Sequence, residues 1–237
     1  MNRGRLSAAA LIYMAGVSIA AVALAVLLWR TDRSAAGLAV FGVIAGLGML
    51  AHAFPVPGFR HQAYQVTLPI IVVAAAILNS PQLVAFILLI HLAEQVRLRR
   101  RLSIQWFNVC DYYLSAVAAG ALYHGATLLL PEGSLSQVAA VLAAGCAFVV
   151  LNRLLLAGAL WLARGLSPRA SGLFQADLLA ADLVIVWIAG PMLVLTLEAG
   201  PWMVLVTAGP LLLARPALSA LLARRETGER PEAARAA

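Results

Sequence analysis

The sequence contains no lysine: all 17 of its basic residues are arginine. That absence excludes any chemistry run through a lysine Schiff base, a retinal pump included. Charge of either sign is scarce, at 11% of 237 residues, where soluble domains carry about 25%. Cysteine is nearly absent as well. Cys110 and Cys146 stand far apart within apolar runs, a placement that suits buried packing residues better than a disulfide or a metal pair. No strand pattern precedes a phosphate loop, and there is neither a nucleophile elbow nor a triad with its own base. No self-similar period supports a repeat-built transporter.

What fills the chain instead is apolar. Hydrophobic residues make up 63% and the mean hydropathy is +0.92. Soluble domains run at about 45–50% apolar, and one soluble core of this length cannot hide the excess. A soluble enzyme and a disordered chain are both excluded, leaving an all-α, polytopic transmembrane helical bundle. The net charge of +7 then has to be placed by topology before any nucleic-acid partner is considered.

A crossing helix needs about 20 apolar residues. On that measure the chain divides into eight candidate spans: 7–29, 34–54, 64–80, 82–97, 105–130, 136–163, 174–197 and 201–222. The third and fourth are short and meet at Asn79-Ser80-Pro81, either as a spanning hairpin or as a pair that only partly enters the bilayer. The first ends at Trp29-Arg30-Thr31-Asp32-Arg33 rather than at a small-residue cleavage site, so it reads as an anchor, not a removed signal. Residues 1–223 form one membrane domain, and 224–237 a short charged tail.

Arginine placement tests the division, because short cytoplasmic loops are rich in Arg and Lys. With the N-terminus inside, the inner segments hold Arg3, Arg5, Arg60, Arg97, Arg99, Arg100, Arg101, Arg164, Arg169, Arg224, Arg225, Arg230 and Arg235. The outer loops hold only Arg30 and Arg33. Eight spans with both termini in the cytoplasm follow, in an inner (plasma) membrane. The basic rim faces anionic lipid headgroups, and no nucleic-acid partner is expected.

Ionisable groups within the hydrocarbon are expensive and mark a functional or a structural site. Arg153 is the deepest, about 11 residues or about 16 Å from the inner end of its span. Asp182 lies at similar depth on the next span and is its natural counter-charge, with Asp111 competing. Asn108, Asp111 and Ser115 share a helical face, and His91 and Glu94 form an i, i+3 pair near the inner end of the fourth span. With Asn152, these residues are the candidate ligand-binding set; interhelical hydrogen bonding is the plainer account of the same pattern. No metal or cofactor is expected. His91 and Glu94 lack the H-E-x-x-H arrangement, and His52, His61 and His124 are scattered over separate segments. Gly42, Gly46 and Gly48 read as small packing residues.

Several phrases recur in a known setting: Ala51-His52-Ala53-Phe54-Pro55-Val56-Pro57, Val66-Thr67-Leu68-Pro69-Ile70, the Asn79-Ser80-Pro81 turn, Phe107-Asn108, Leu114-Ser115, Val150-Leu151-Asn152 and Leu211-Leu212-Leu213-Ala214-Arg215. Over roughly residues 40–220 the chain resembles the N-terminal membrane input region of bacterial signalling proteins that end in an HD-GYP phosphodiesterase or a GGDEF cyclase. The resemblance highlights Phe107, Asn108, Asn152 and Arg215. It implies a sensor-type module whose partners are membrane lipids and a cytoplasmic signalling protein on a separate chain. No output domain follows Arg215, so no cyclic-dinucleotide chemistry is expected of this polypeptide, and it is expected not to be an enzyme. Two other functions stay open. One is a small-molecule transporter or substrate-binding membrane subunit using Arg153 and Asp182. The other is a lipid-directed intramembrane enzyme using Asp111, Glu94 or His91.

Overall fold

The computed structural model describes residues 6–29, 35–54, 56–57, 63–64, 66–210 and 213. His61, Arg215 and the tail 224–237 lie outside them. Besides helices and the turns and loops that join them, the described residues hold a two-residue antiparallel ladder, β1 (Val56–Pro57) with β2 (Ala63–Tyr64), in which Val56 pairs with Tyr64. The helices are α1 (Ala8–Trp29), α2 (Leu38–Ala53), α3 (Leu68–Ile77), α4 (Ser80–Leu98), α5 (Leu102–Leu129), α6 (Ser134–Arg164), α7 (Ala176–Trp187) and α8 (Ala189–Ala199). A further helical stretch covers 203–210.

Among the described residues, four stretches are long and apolar enough to cross a membrane: Ala8–Trp29, Ser80–Leu98, Ser134–Arg164 and Leu178–Ala199. Their apolar side chains point outward as often as inward. On α1, Ile12 is 73% exposed and Ile19 69%, and on α7 Val184 is 67% exposed. A soluble helix would bury that stripe; a helix in lipid has no reason to. This is the surface of a membrane protein.

The third and seventh expected spans depart from simple crossings. Helix α3 has ten residues, about 15 Å at the helical rise and half of a bilayer core. Every residue from Leu68 to Ala76 is buried, and α3 packs against α2, α4, α5, α6, α7 and α8. A helix apolar on all sides belongs in the centre of a bundle, and α3 is that centre. Asn79 ends it and starts α4. Its side chain accepts from the Gln82 amide while the Gln82 side chain returns to the Asn79 N–H, a reciprocal cap that fixes the turn. The stretch 174–197 divides at Ile188 into α7 and α8 because Pro191 has no N–H to offer the Trp187 carbonyl four residues back.

Close helix crossings use glycine selectively. A Cβ on Gly120 of α5 would sit 2.7 Å from the Ala75 carbonyl oxygen of α3, and one on Gly48 of α2 would sit 2.6 Å from the Phe86 ring of α4. Gly42 and Gly46 have nothing within 4 Å at that position, so of the three expected packing glycines only Gly48 packs. Cys110 is buried, whereas Cys146 is exposed on α6, contrary to its expected burial: its apolar neighbours face outward too.

Hydrogen bonds between helices fix which ends lie together. Ser7 donates to the Leu162 carbonyl at 2.6 Å, and Arg97 to the Ala53 carbonyl at 2.5 Å. Helices α5 and α6 are a hairpin turned at Pro131-Glu132-Gly133. Together these place the start of α1, the ends of α2, α4 and α6, and the start of α5 at one end of the bundle. Among the described arginines, Arg97, Arg99, Arg100, Arg101, Arg164 and Arg169 are all at that end. At the opposite end, Gln82 of α4 exchanges two hydrogen bonds with Ala36 just before α2. Exposed tryptophans mark both ends, Trp106 and Trp161 at the arginine-rich one, Trp29 and Trp202 at the other. Such paired aromatic belts are typical of a membrane's two interfaces.

Candidate functional site

The arginine-rich end carries a buried polar cluster. His52 arrives on the last turn of α2, His91 and Glu94 on the last turns of α4, and Gln105 on the first turn of α5. They are 3%, 2%, 4% and 6% exposed. His52 Nε2 lies 3.3 Å from His91 Nδ1 and 3.6 Å from Glu94 Oε2, and His91 Nδ1 lies 3.5 Å from the same oxygen. Gln105 Nε2 donates to the His91 carbonyl at 2.8 Å and to Glu94 Oε2 at 3.1 Å. Arg100, in the α4–α5 connection, holds Glu94 Oε1 at 3.1 Å. That connection turns because Arg99 adopts a left-handed conformation at φ 48°, which ends α4 and brings Arg100 back toward Glu94. The Tyr112 ring stands edge-on to both imidazoles, at 5.4 and 4.8 Å between centroids, and walls the cluster from the bundle interior.

Two further groups lie deeper. Asp111 accepts from Asn152 Nδ2 at 3.1 Å and from Ser115 Oγ at 3.4 Å, and no cation pairs with it among the described residues. Asn108, half-buried on the same helix, takes no part in that set. Arg153 pairs with Asp182 rather than with Asp111, through both Nε and Nη2, and its Nη2 also reaches the Leu178 carbonyl at 3.5 Å. Arg153 Nη1 is buried without a partner. The pairing sets the Arg153 donors against the Asp182 acceptor at a depth where lipid offers neither.

The candidate residues named from sequence therefore fall into three groups. His91 and Glu94 meet, Asp111, Ser115 and Asn152 meet, and Arg153 meets Asp182; Asn108 joins none of these sets. Of the three residues named for an intramembrane enzyme, Glu94 and His91 stand together while Asp111 stands apart with Asn152 and Ser115. The expectation that the histidines are scattered is corrected for His52, which α2 carries to His91 although 39 residues separate them. Gln105 and Arg100 were missed as well. Of these, only the i, i+3 spacing of His91 and Glu94 was visible in the sequence.

Beside the cluster, α4 and α5 diverge over a groove of about 400 Å³. Leu88, Leu92, Leu102, Trp106 and Val109 line most of it, and His91, Gln95 and Gln105 border it, so that its surface is almost wholly apolar. Leu88, Trp106 and Val109 also border a second hollow of about 100 Å³, where Ala21, Ile87 and Tyr113 lead deeper into the bundle. Apolar walls with a few convergent polar groups are the usual make-up of a ligand pocket.

Fold and site together define a helical membrane protein with a buried polar layer near one end. No protein-family model, no curated protein and no solved structure matches this chain.

Proposed function

We propose that this protein is an integral membrane sensor or input-type module without catalytic output, and that it binds a small or lipophilic ligand in the groove between α4 and α5. The observation that carries the proposal is the groove's apolar lining, which opens beside the arginine-rich end. Leu88, Leu92, Trp106 and Val109 suit the chain of an amphiphile whose head would lie among the arginines at that interface. The resemblance to HD-GYP and GGDEF input regions supports the signalling part, with a cytoplasmic protein on another chain as receiver. Native mass spectrometry of the purified full chain tests it. The wild type should carry a lipid or metabolite adduct, which Val109→Trp, filling the groove, should lose and Leu122→Trp, far from it, should keep. An adduct-free wild type, or an adduct indifferent to Val109→Trp, would sink the idea.

The proposed topology has eight spans in an inner membrane, with both termini and the arginine-rich end in the cytoplasm, on the strength of the arginine bias. In a Cys110→Ala/Cys146→Ala background, an impermeant maleimide on intact cells should label Glu132→Cys and spare Arg101→Cys. The reverse pattern would invert the topology.

One observation favours the alternative, a small-molecule transporter or substrate-binding membrane subunit. Arg153 Nη1 is a buried cationic donor with no partner, placed where a transported anion would need one. Saturable uptake of an anion into proteoliposomes, lost on Arg153→Leu/Asp182→Leu, would decide for transport over sensing.

A further inference from the structure

We infer that His52, His91 and Glu94 form a binding site for a divalent first-row transition-metal ion, of which zinc is the representative used below. Two imidazoles and one carboxylate, with no thiolate, are a donor set that such ions take. The ligating atoms are His52 Nε2, His91 Nδ1 and Glu94 Oε2, and all three residues are buried.

The distances discriminate between an ion and a proton. The three edges of the donor triangle are 3.3, 3.5 and 3.6 Å. A tetrahedral ion with bonds of about 2.1 Å separates its ligands by about 3.4 Å, so the three atoms already form one face of such a site. Well-made N–H···O bonds are shorter, about 2.7–3.2 Å, and a proton can lie along only one edge at a time. Three ligating atoms at this spacing stand farther apart than good hydrogen bonds among themselves would hold them.

The surroundings orient the donors. With Nε2 of His52 on the ion, its Nδ1 must carry the proton, and Thr67 Oγ1 lies 3.4 Å from that nitrogen to receive it. Arg100 engages Oε1 of Glu94 and so turns Oε2 toward the histidines. Tyr112 packs edge-on to both rings and fixes their planes. Two buried polar atoms here have no partner, His91 Nε2 and Gln105 Oε1. The first is the nitrogen that stays protonated when Nδ1 ligates. The second belongs to an amide whose Nε2 donates to the His91 carbonyl at 2.8 Å and to Glu94 Oε2 at 3.1 Å, so Gln105 steadies both ligating residues from outside the donor triangle. His91 and Gln105 also line the α4–α5 groove, which gives the ion a route in.

The site does not depend on the groove's ligand, because the probe is the metal alone. Full-length protein in lipid nanodiscs, stripped with a chelator, is titrated calorimetrically with ZnCl2, and in parallel with CoCl2 to read the visible absorption of a tetrahedral ion. We expect one Zn2+ per chain. The isosteric Glu94→Gln should weaken binding at least about 10-fold and His52→Ala by more, while Thr67→Val, which removes only an outer support, should cost about 10-fold. His124→Ala should leave binding unchanged. Zn2+ should raise the unfolding temperature of the wild type and not that of Glu94→Gln, a readout that stands even where His52→Ala fails to fold. Failure of the stripped wild type to take up one equivalent would overturn the site, as would uptake indifferent to both Glu94→Gln and His52→Ala. A chain without a groove ligand that still takes up one Zn2+ separates this inference from the proposed function.

Discussion

Arg153→Leu is expected to destabilise the protein by about 3 kcal/mol, and Arg153→Leu/Asp182→Leu to recover most of that loss. Breaking a buried ion pair from one side costs about 3–5 kcal/mol in soluble proteins, because the remaining charge is left uncompensated. Insertion scales put a charged residue at the centre of a membrane helix at about 2.5–3.5 kcal/mol, which is the situation Asp182 would face. The pair is two-pronged, through Nε and Nη2 of Arg153 onto one Asp182 oxygen, so no water-exposed conformer competes with it at low cost. Replacing both residues removes both charges and leaves leucine against leucine in apolar surroundings, which buried-pair replacements tolerate. Reversible unfolding of the three proteins in one detergent measures the effect. Equal losses in the single and double variants would mean that the arginine side chain, not the charge pairing, holds α6 against α7. A stable double variant also frees the functional assays from the question of folding.

The second large effect is expected at Gly120. A valine there would place its Cβ about where Gly120 now leaves 2.7 Å to the Ala75 carbonyl oxygen. That oxygen belongs to the backbone of α3, the helix on which six others pack, so it cannot step aside without shifting the centre of the bundle. Overpacking a well-filled interior costs about 1–3 kcal/mol, and a backbone neighbour puts Gly120→Val at the upper end. Gly125→Val, one and a half turns further along the same helix, has nothing within 4 Å and serves as the control. It should change stability by only a few tenths of a kcal/mol, since valine is the slightly better helix former. Unfolding temperatures of the two variants in the same detergent check the contrast. Matching values would mean that α3 and α5 are not held together at Gly120.

Much of the architecture was legible before any tertiary structure was considered. Apolar runs separated by Pro-Gly and Asn-Ser-Pro breaks locate the helices, because turn residues punctuate a chain whatever it packs against. Asn79-Ser80-Pro81 fell where α4 is capped, and Pro131-Glu132-Gly133 where α5 turns into α6. The Arg153–Asp182 pair was legible too, since two opposite charges at equal depth on successive spans have few other partners. What periodicity does not reveal is which runs reach across a bilayer. The run containing α3 has the hydropathy of a span but only ten helical residues, and its depth is set by neighbours on every side.

The sequence by itself determined that this is a helical membrane protein, because that rests on composition and on the length of its apolar runs. Only the tertiary structure decided that His52 stands against His91 and Glu94, and that Asp111 turns to Asn152 instead. The His52 contacts depend on α2 lying parallel to α4, which is set by Gly48 admitting the Phe86 ring and by Gln82 tying the far ends of the two helices together, and the Asp111 contact on the α5–α6 hairpin. A 39-residue separation carries no trace of that crossing, because the atoms that enforce it are packed in three dimensions and not spaced along the chain.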